Sequence, residues 1–543
     1  MDKYSDHAAP AAFLLFAATL APWTGNFPLN DDWAYAMAAK TLSETGRLVL
    51  CDWGSATQVV HVALGALWAK LFGFGFGALR TLNLLVAAAA VFAFLRLLAL
   101  FGVGRSVRLA AGLTLALSPL YLPLAASFMT DAHYFFWMTA AVYFYARRLK
   151  DPADGRALLW AGLCAAAAYL TRQLAVALPL AYTLVLLLHR RFSAKEAAAA
   201  WAAPAAAMAG YALWFKFLHG PTWASENYVG ASTLAHLSKP LTLLNDSFYR
   251  LFASMAETGL LLLPLAAGFI FSWRKFTGRN ALNSRVMAAG PWLALAALAG
   301  FAALNGAMPY LENTLSASGL GALTLGGAAF KPSGLFASPI FWTAATAAAL
   351  LSAVILMLAS GVALRSGDPA LRFAFLAAAL QLCVSLIGAK YFDRYLLPTT
   401  VFWFALAAAF AARGIAFHRP AAALALALTA LLGWAGMKDY LAWNRAKWEL
   451  ASRVRPGLTP DEIANGFDYD AWHNYSRSMG YLKSMKPLKM IDEWEWQKVI
   501  PYKAMISYRQ DPKLEVIDRL EYSTPLPPGK GVLYLLGPKR ASR

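Results

Sequence analysis

Charge is scarce in this chain: only 14% of its 543 residues are Asp, Glu, Lys or Arg, while 59% are hydrophobic. A soluble globule cannot bury that much apolar surface, so the composition excludes an ordinary soluble domain and indicates a polytopic α-helical membrane protein. Cysteine is scarce too. Cys51, Cys164 and Cys383 share no metal-ligand spacing, and two of them lie in apolar runs, which excludes a disulfide framework and a cysteine zinc site. Acidic residues are the rarer sign, 29 against 48 Lys and Arg. The basic excess is spread in short clusters between apolar runs, as in cytoplasmic loops facing an anionic leaflet, so nucleic acid is discounted as a partner and membrane lipid is favoured.

Apolar runs of about 17 to 25 residues predict spans near 9–24, 78–101, 109–127, 133–148, 156–170, 174–189, 198–218, 251–273, 287–304, 339–361, 372–389, 396–415 and 419–437, thirteen in all. The first run, "AAFLLFAATLAPW", has signal-peptide features, but the spans that follow favour an uncleaved helix. The run from Val59 to Gly73 is too short for a comfortable span and is expected to be re-entrant or interfacial. With that assignment Arg105 and Arg108, "RRLK" (147–150), "HRR" (189–191), "WRKFTGR" (273–279), Arg365 and Arg372, and Arg413 and Arg419 all fall on one side, which the positive-inside rule makes the cytoplasm. The expected protein is therefore an inner-membrane protein with a cytoplasmic amino terminus, a transmembrane domain over 1–437 with a periplasmic first loop at 25–77, and a soluble periplasmic domain over 438–543. The tail holds 31 of the chain's 77 charged residues. Its "YKAMISYRQ", "LEVIDRLEY" and "GVLYLLG" alternate as short strands do, which predicts a small α/β domain.

That topology gathers polar residues on the outer face. Asp31 and Asp32 open the first loop in "PLNDDWAYAMAAKTL"; Asp131 and His133 stand in "SFMTDAHYFF"; Arg172 and Gln173 in "YLTRQLA"; Asp393, Arg394 and Tyr395 in "YFDRYLLP"; Tyr310, Glu312 and Asn313 in "MPYLENTLS". An ionisable group at membrane depth costs about 3 kcal/mol on insertion scales, and several on one leaflet imply a polar chamber opening outward. Each also has a structural reading. Asn30 and the acidic pair suit the cap and first turn of an interfacial helix running to Gly46, Asp131 suits an ion pair with Arg172 or Arg394, and Asp393 and Arg394 suit mutual pairing.

Taken in order and sidedness over residues 1 to about 437, these elements resemble the membrane-embedded GT-C glycosyltransferases. The acidic pair after the first helix, the aromatic "YA" helix, a second Asp at the outer start of a later helix, the Thr-basic step and the late "RYLLP" are most similar to the branch of dolichyl-phosphate-mannose protein mannosyltransferases and aminoarabinose lipid A transferases. The resemblance implies transfer of a sugar from a polyprenyl-phosphate-linked donor to an acceptor at the outer face. It makes Asp31 the candidate base with Asp32 beside it, Asp131 the second carboxylate of the chamber, and Arg394 and Tyr395 the "RYLLP" element; Arg172 falls where the aminoarabinose branch has a Lys. Where that branch carries an acidic-Lys-Pro step this chain has "SATQVVHV", so Gln58 and His61 are the candidates to replace the phosphate-binding Lys, and a divalent metal shared with that branch is left open.

The chemistry fits independently. Transfer to a hydroxyl needs a base on the attacking side, for which Asp31 and Asp32 are placed, and cations on the leaving side, for which Arg172 and Arg394 are suited because guanidinium groups take phosphate bidentately. His133, Gln173, Tyr310 and Tyr395 are the expected substrate contacts. The competing classes are a transporter or flippase of a lipid-linked sugar, with the charged residues as a relay, and a non-catalytic sugar-binding assembly partner. The acceptor stays open between envelope glycan, lipid and protein. In the tail, "NGFDYDAWHNY" (465–475) has the composition of a carbohydrate-contacting loop and equally that of a turn-rich connection.

Overall fold

The computed structural model describes residues 6–272, 285–326, 331, 334–388, 390–453, 455–485, 495–525 and 528–539. The basic cluster at 273–279 lies outside the described residues. Long Ala- and Leu-rich stretches, interrupted mainly by Gly and Pro, make the chain helical. From the amino terminus run α1 (Ala8–Ala18), α2 (Asp32–Thr45), α3 (Val59–Phe72), α4 (Phe76–Leu100), α5 (Arg105–Ala116), α6 (Tyr121–Ala125), α7 (Thr130–Lys150), α8 (Gly155–Tyr169), α9 (Ala177–Leu188) and α10 (Ala194–Trp214). Then come α11 (Ser232–Leu237), α12 (Pro240–Leu261), α13 (Leu263–Ala267), α14 (Arg285–Asn305), α15 (Pro339–Arg365), α16 (Pro369–Ile387), α17 (Phe402–Ala411), α18 (Arg419–Ser452) and α19 (Phe467–Ser484).

Among the described residues five helical stretches are long and apolar enough to cross a membrane: α4, α15, α16, α18 and Asp393–Gly414, which contains α17. Further apolar helices, α1, α3, Gln173–Leu188 and Ala289–Asn305, are shorter. By length and composition, then, five of the thirteen expected spans are supported. At about 1.5 Å per residue α3 is about 21 Å long, short of the roughly 30 Å hydrocarbon core. The central core is built where α1, α4, α6, α7 and α17 meet: the Phe94 and Phe402 ring centroids are 6.0 Å apart, those of Phe135 and Phe402 5.9 Å, and those of Phe13 and Tyr121 5.8 Å.

Buried polar groups shape the first loop. Arg80, fully buried in α4, donates to the Pro22 carbonyl at 3.0 Å and to that of Phe27. Beside it a Cβ on Gly77 would stand 2.3 Å from the Trp23 carbonyl, so the loop backbone approaches α4 where only glycine fits. The expectation that Asn30 caps α2 is not met. Asn30 is left-handed (φ 55°), and Asp31 occupies the N-cap position without a side-chain cap hydrogen bond. The reason lies in Asp32, whose carboxylate turns back to accept the Leu29 N–H at 2.6 Å and the Phe128 N–H at 3.1 Å. That binds the turn before α2 to the segment before α7, and Gly46 (φ 70°) ends the helix.

The three stretches read as strands are β4 (Ala504–Ser507), β5 (Leu514–Pro525) and β6 (Pro528–Pro538), following the two-residue strands β1 (Leu315–Ser316), β2 (Gly319–Leu320) and β3 (Ile463–Ala464). The carboxyl-terminal sheet has the order β3-β4-β6-β5, with β3 and β4 parallel and the other pairs antiparallel. The expected boundary at residue 438 falls inside α18, which continues unbroken to Ser452 and lays its last turns on this sheet. Lys447 on those turns is fully buried. Its Nζ donates to Asp468 Oδ1 at 2.5 Å and to Thr324 Oγ1 at 2.9 Å, joining α18, α19 and the segment after β2.

Removing one partner of a buried ion pair leaves the other uncompensated, which costs about 3–5 kcal/mol. Lys447→Ala is therefore expected to lower thermal stability in detergent by that order, while Lys530→Ala, whose partner Glu521 is exposed, shifts it little. Asp470 adds a pH dependence. Burial among Asn465 and Tyr502 raises its carboxyl from 3.8 to about 7, so between those values the folded chain holds more protons than the unfolded one and stability falls as pH rises from about 4 to about 7. Asp470→Asn is expected to shrink that fall, measured as melting temperature against pH.

Candidate active site

On the expected outer side, α2, the 53–56 segment, the turn after α8, the loop before α17 and the first residue of α19 enclose a cavity of about 770 Å³. Two carboxylate–guanidinium pairs organise it. Asp31, at the amino end of α2, pairs through Oδ2 with Arg394 Nη1 at 3.0 Å, and its Oδ1 accepts the Trp53 indole N–H at 3.2 Å. Asp131, in the first turn of α7, lies 2.8 Å from Arg172 Nη2. That contact is an ion pair rather than an aligned hydrogen bond, since neither Asp131 oxygen has a hydrogen-bonding partner. Arg172 Nε donates to Thr130 Oγ1 at 2.9 Å, which holds its guanidinium at the cavity wall. The Tyr395 ring connects the pairs: the Arg172 and Arg394 guanidinium carbons each stand 5.8 Å from its centroid, within cation–π range.

This settles which groups pair. Asp131 takes Arg172, and Arg394 reaches across to Asp31 instead of Asp393. The Asp393 carboxylate turns away and accepts the Thr314 and Leu315 N–H groups at 2.7 and 2.6 Å, which fixes the segment carrying Glu312 and Asn313.

Asp31, Arg172, Gln173, Arg394 and Tyr395 line the cavity, and Gln173 Nε2 donates to the Ser55 carbonyl at 2.9 Å. Asp131 stands behind Arg172. Asp32 does not reach the cavity; burial raises its carboxyl to about 7, with Arg80 opposing, and its oxygens serve the loop. Gln58, His61 and His133 are fully buried and none lines the cavity, so the two residues expected to contact phosphate, Gln58 and His61, stand away from its wall. His61 stacks on Phe128 with centroids 4.0 Å apart and meets His133 edge-on at 4.4 Å, because the chain turns inward at Gln58 (φ 47°). Tyr310 is also elsewhere, its hydroxyl on the Gly306 carbonyl at 2.8 Å and its ring on Phe301.

The cavity adds residues that sequence reasoning passed over: Trp53, Lys390 and Phe467. Lys390 stands just before "YFDRYLLP", where proximity to the motif was the available signal; Phe467 lies within the aromatic-rich tail stretch. Tyr35 lines the wall beside Asp31, and burial together with that carboxylate lifts its hydroxyl to about 12, so it acts as a hydrogen-bonding phenol at neutral pH. Among the described residues no group of three His, Cys, Asp or Glu side chains could hold a metal ion, and Asp31 and Asp131 are each engaged by arginine. The arrangement offers two carboxylates at the cavity wall, Asp31 and Glu312, the second accepting the Ala317 N–H, beside cations suited to a phosphate.

No curated protein sequence matches the chain. Among solved structures, the Pmt1-Pmt2 protein O-mannosyltransferase complex of S. cerevisiae, bound to its sugar donor, matches at 18% identity over 43% of this chain and 37% of that one, with a TM-score of 0.31. This chain thus spans little more than a third of the yeast chain. ArnT of Cupriavidus metallidurans bound to undecaprenyl phosphate matches at 13% identity over 96% and 97% of the two chains, TM-score 0.37. The oligosaccharyltransferase AglB of Archaeoglobus fulgidus matches at 14% identity over 90% and 61%, TM-score 0.41. Residues 59–215, which carry Asp131, Arg172 and Gln173, match the family model of the dolichyl-phosphate-mannose-protein mannosyltransferases; the acidic pair at Asp31 and Asp32 and the "RYLLP" element lie outside that match.

Proposed function

We propose that this protein is an integral membrane glycosyltransferase that moves a sugar from a polyprenyl-phosphate-linked donor to a hydroxyl of an envelope glycan, lipid or protein at the outer face of the inner membrane, with inversion. The observation that carries the reading is the Asp31–Arg394 pair at the wall of a cavity that Arg172 and Lys390 also line. The family match over residues 59–215 supports the same chemistry.

In this mechanism the acceptor hydroxyl gives its proton to Asp31 as its oxygen bonds to the anomeric carbon. The bond from that carbon to the phosphate oxygen breaks, and its electron pair leaves with the polyprenyl phosphate. Arg172, Arg394 and Lys390 stabilise the charge that grows on the phosphate. A phosphate leaving group needs no acid, so Asp31 and Asp131 can both stay tied to arginine. Asp131 acts by holding Arg172, and the Tyr395 ring keeps the two guanidinium groups in place. The lipid-linked donor also follows from location, since a chamber facing outward has no access to cytoplasmic nucleotide sugars.

Asp31→Asn, inserted normally in the membrane, is expected to lower transfer of a labelled polyprenyl-phosphate sugar by about 10²–10⁴-fold, the usual contribution of a general base. Asp131→Asn is expected to act mainly on the KM for donor. Wild-type transfer by both variants would overturn the mechanism. The acceptor is found by mass spectrometry of envelope glycans from a deletion strain, and an unchanged profile would count against the enzyme reading.

A further inference from the structure

We infer that the carboxyl-terminal segment is a positioning element for Asp31, acting through Asp52 and Trp53. The inference rests on the proposed role of Asp31 and adds residues outside it.

Trp53 and Asp52 are adjacent in sequence but serve different neighbours. Among the described residues the Asp31 carboxylate accepts from the Trp53 indole N–H and from Arg394. Its ring stacks on Trp223 with centroids 5.7 Å apart and planes within 8°, and lies 5.4 Å from Phe467 of α19. Asp52 is held from two sides. The Tyr475 hydroxyl of α19 accepts the Asp52 N–H at 3.0 Å and lies 3.2 Å from Oδ2, and Lys483 Nζ, two turns further along α19, lies 2.8 Å from the same oxygen. From the other side the Trp223 N–H reaches Oδ1 at 3.4 Å, the Ala224 N–H donates to the Asp52 carbonyl at 2.8 Å, and Thr222 Oγ1 donates to the Gly54 carbonyl at 2.8 Å.

Asp52 is thus a junction where α19 and the 222–224 segment clamp the backbone that aims Trp53. A donor fixed on Oδ1 orients the Asp31 carboxylate at the cavity wall. If α19 releases Asp52, Trp53 loses its setting and Asp31 is less well aimed. The charged and titratable groups around Asp31, namely Arg394, the Asp131–Arg172 pair, Tyr35, Tyr395, Glu312 and Lys390, are unaltered by a change at Tyr475. Those around Asp52 are Tyr475, Lys483 and Cys51.

The test uses full-length protein in membranes and reads Asp31 directly. A carbodiimide labels a carboxyl group at a rate set by how firmly its neighbours hold and cover it, so peptide mass spectrometry of Asp31 at one fixed pH gives its labelling rate without any transfer assay. In Trp53→Phe that rate is expected to rise about fivefold, the effect of losing one hydrogen bond. Tyr475→Phe keeps the ring against Trp33 and removes only the hydroxyl; it is expected to move the rate in the same direction by a smaller amount, and the double variant to match Trp53→Phe alone, because both act through one donor. Transfer, where present, follows with a fall in kcat and an unchanged donor KM. An unmoved Asp31 in Tyr475→Phe, or additive shifts in the double variant, would overturn the inference. Absence of transfer in the wild type would count against the proposed function and leave the labelling result standing.

Discussion

Asp31 and Arg394 are 363 residues apart, and their ion pair is the contact on which the site depends. A guanidinium at the membrane boundary is costly unless paired, and a carboxylate at the start of α2 is of use only if something holds it toward the cavity. The pair answers both needs. It draws the first loop against the loop before α17, and the second pair, Asp131 with Arg172, stands beside it through the Tyr395 ring. Neither arginine is available to drift, and the cavity between them exists because both are anchored from behind, Arg172 by Thr130 and Arg394 by the segment that Asp393 fixes.

Much of the membrane part was legible because composition and charge placement obey simple physics. Apolar runs mark helices, and an ionisable residue beside such a run announces itself by its cost. Asp31, Asp131, Arg172 and Arg394 were visible for that reason. Which carboxylate meets which arginine was not, because sequence neighbours suggest local pairing and the chain uses distant partners. Asp32 and Asp393 looked like their catalytic-looking neighbours and proved to be backbone acceptors that shape loops. Gln58 and His61 were drawn in by their place in the family resemblance and His133 by its nearness to Asp131, and with a left-handed turn at Gln58 all three lie buried away from the cavity wall.

Trp53 and Phe467 show the opposite error. Aromatic residues are common in this chain, 14% of it, so a single one carries no signal until the fold brings it against a carboxylate. The three strands of the tail were readable from alternation. The parallel addition of β3 was not, since two residues make no pattern. The helix α18 also defeated a reading by composition, because its charge begins midway while its hydrogen-bonded backbone continues.

That last feature governs movement. A helix of 34 residues is about 51 Å of continuous rod, with no proline or glycine interruption past Gly436 at which it could bend. The sheet and α19 ride on its far end, locked by Lys447, while its near half packs one face on α13 and leaves Leu424, Leu428 and Leu431 exposed. Such a rod transmits torque but does not bend sharply past Gly436, so the sheet and α19 turn with it as one piece. At the cavity wall Val229, Val384 and Ile387 present exposed apolar surface.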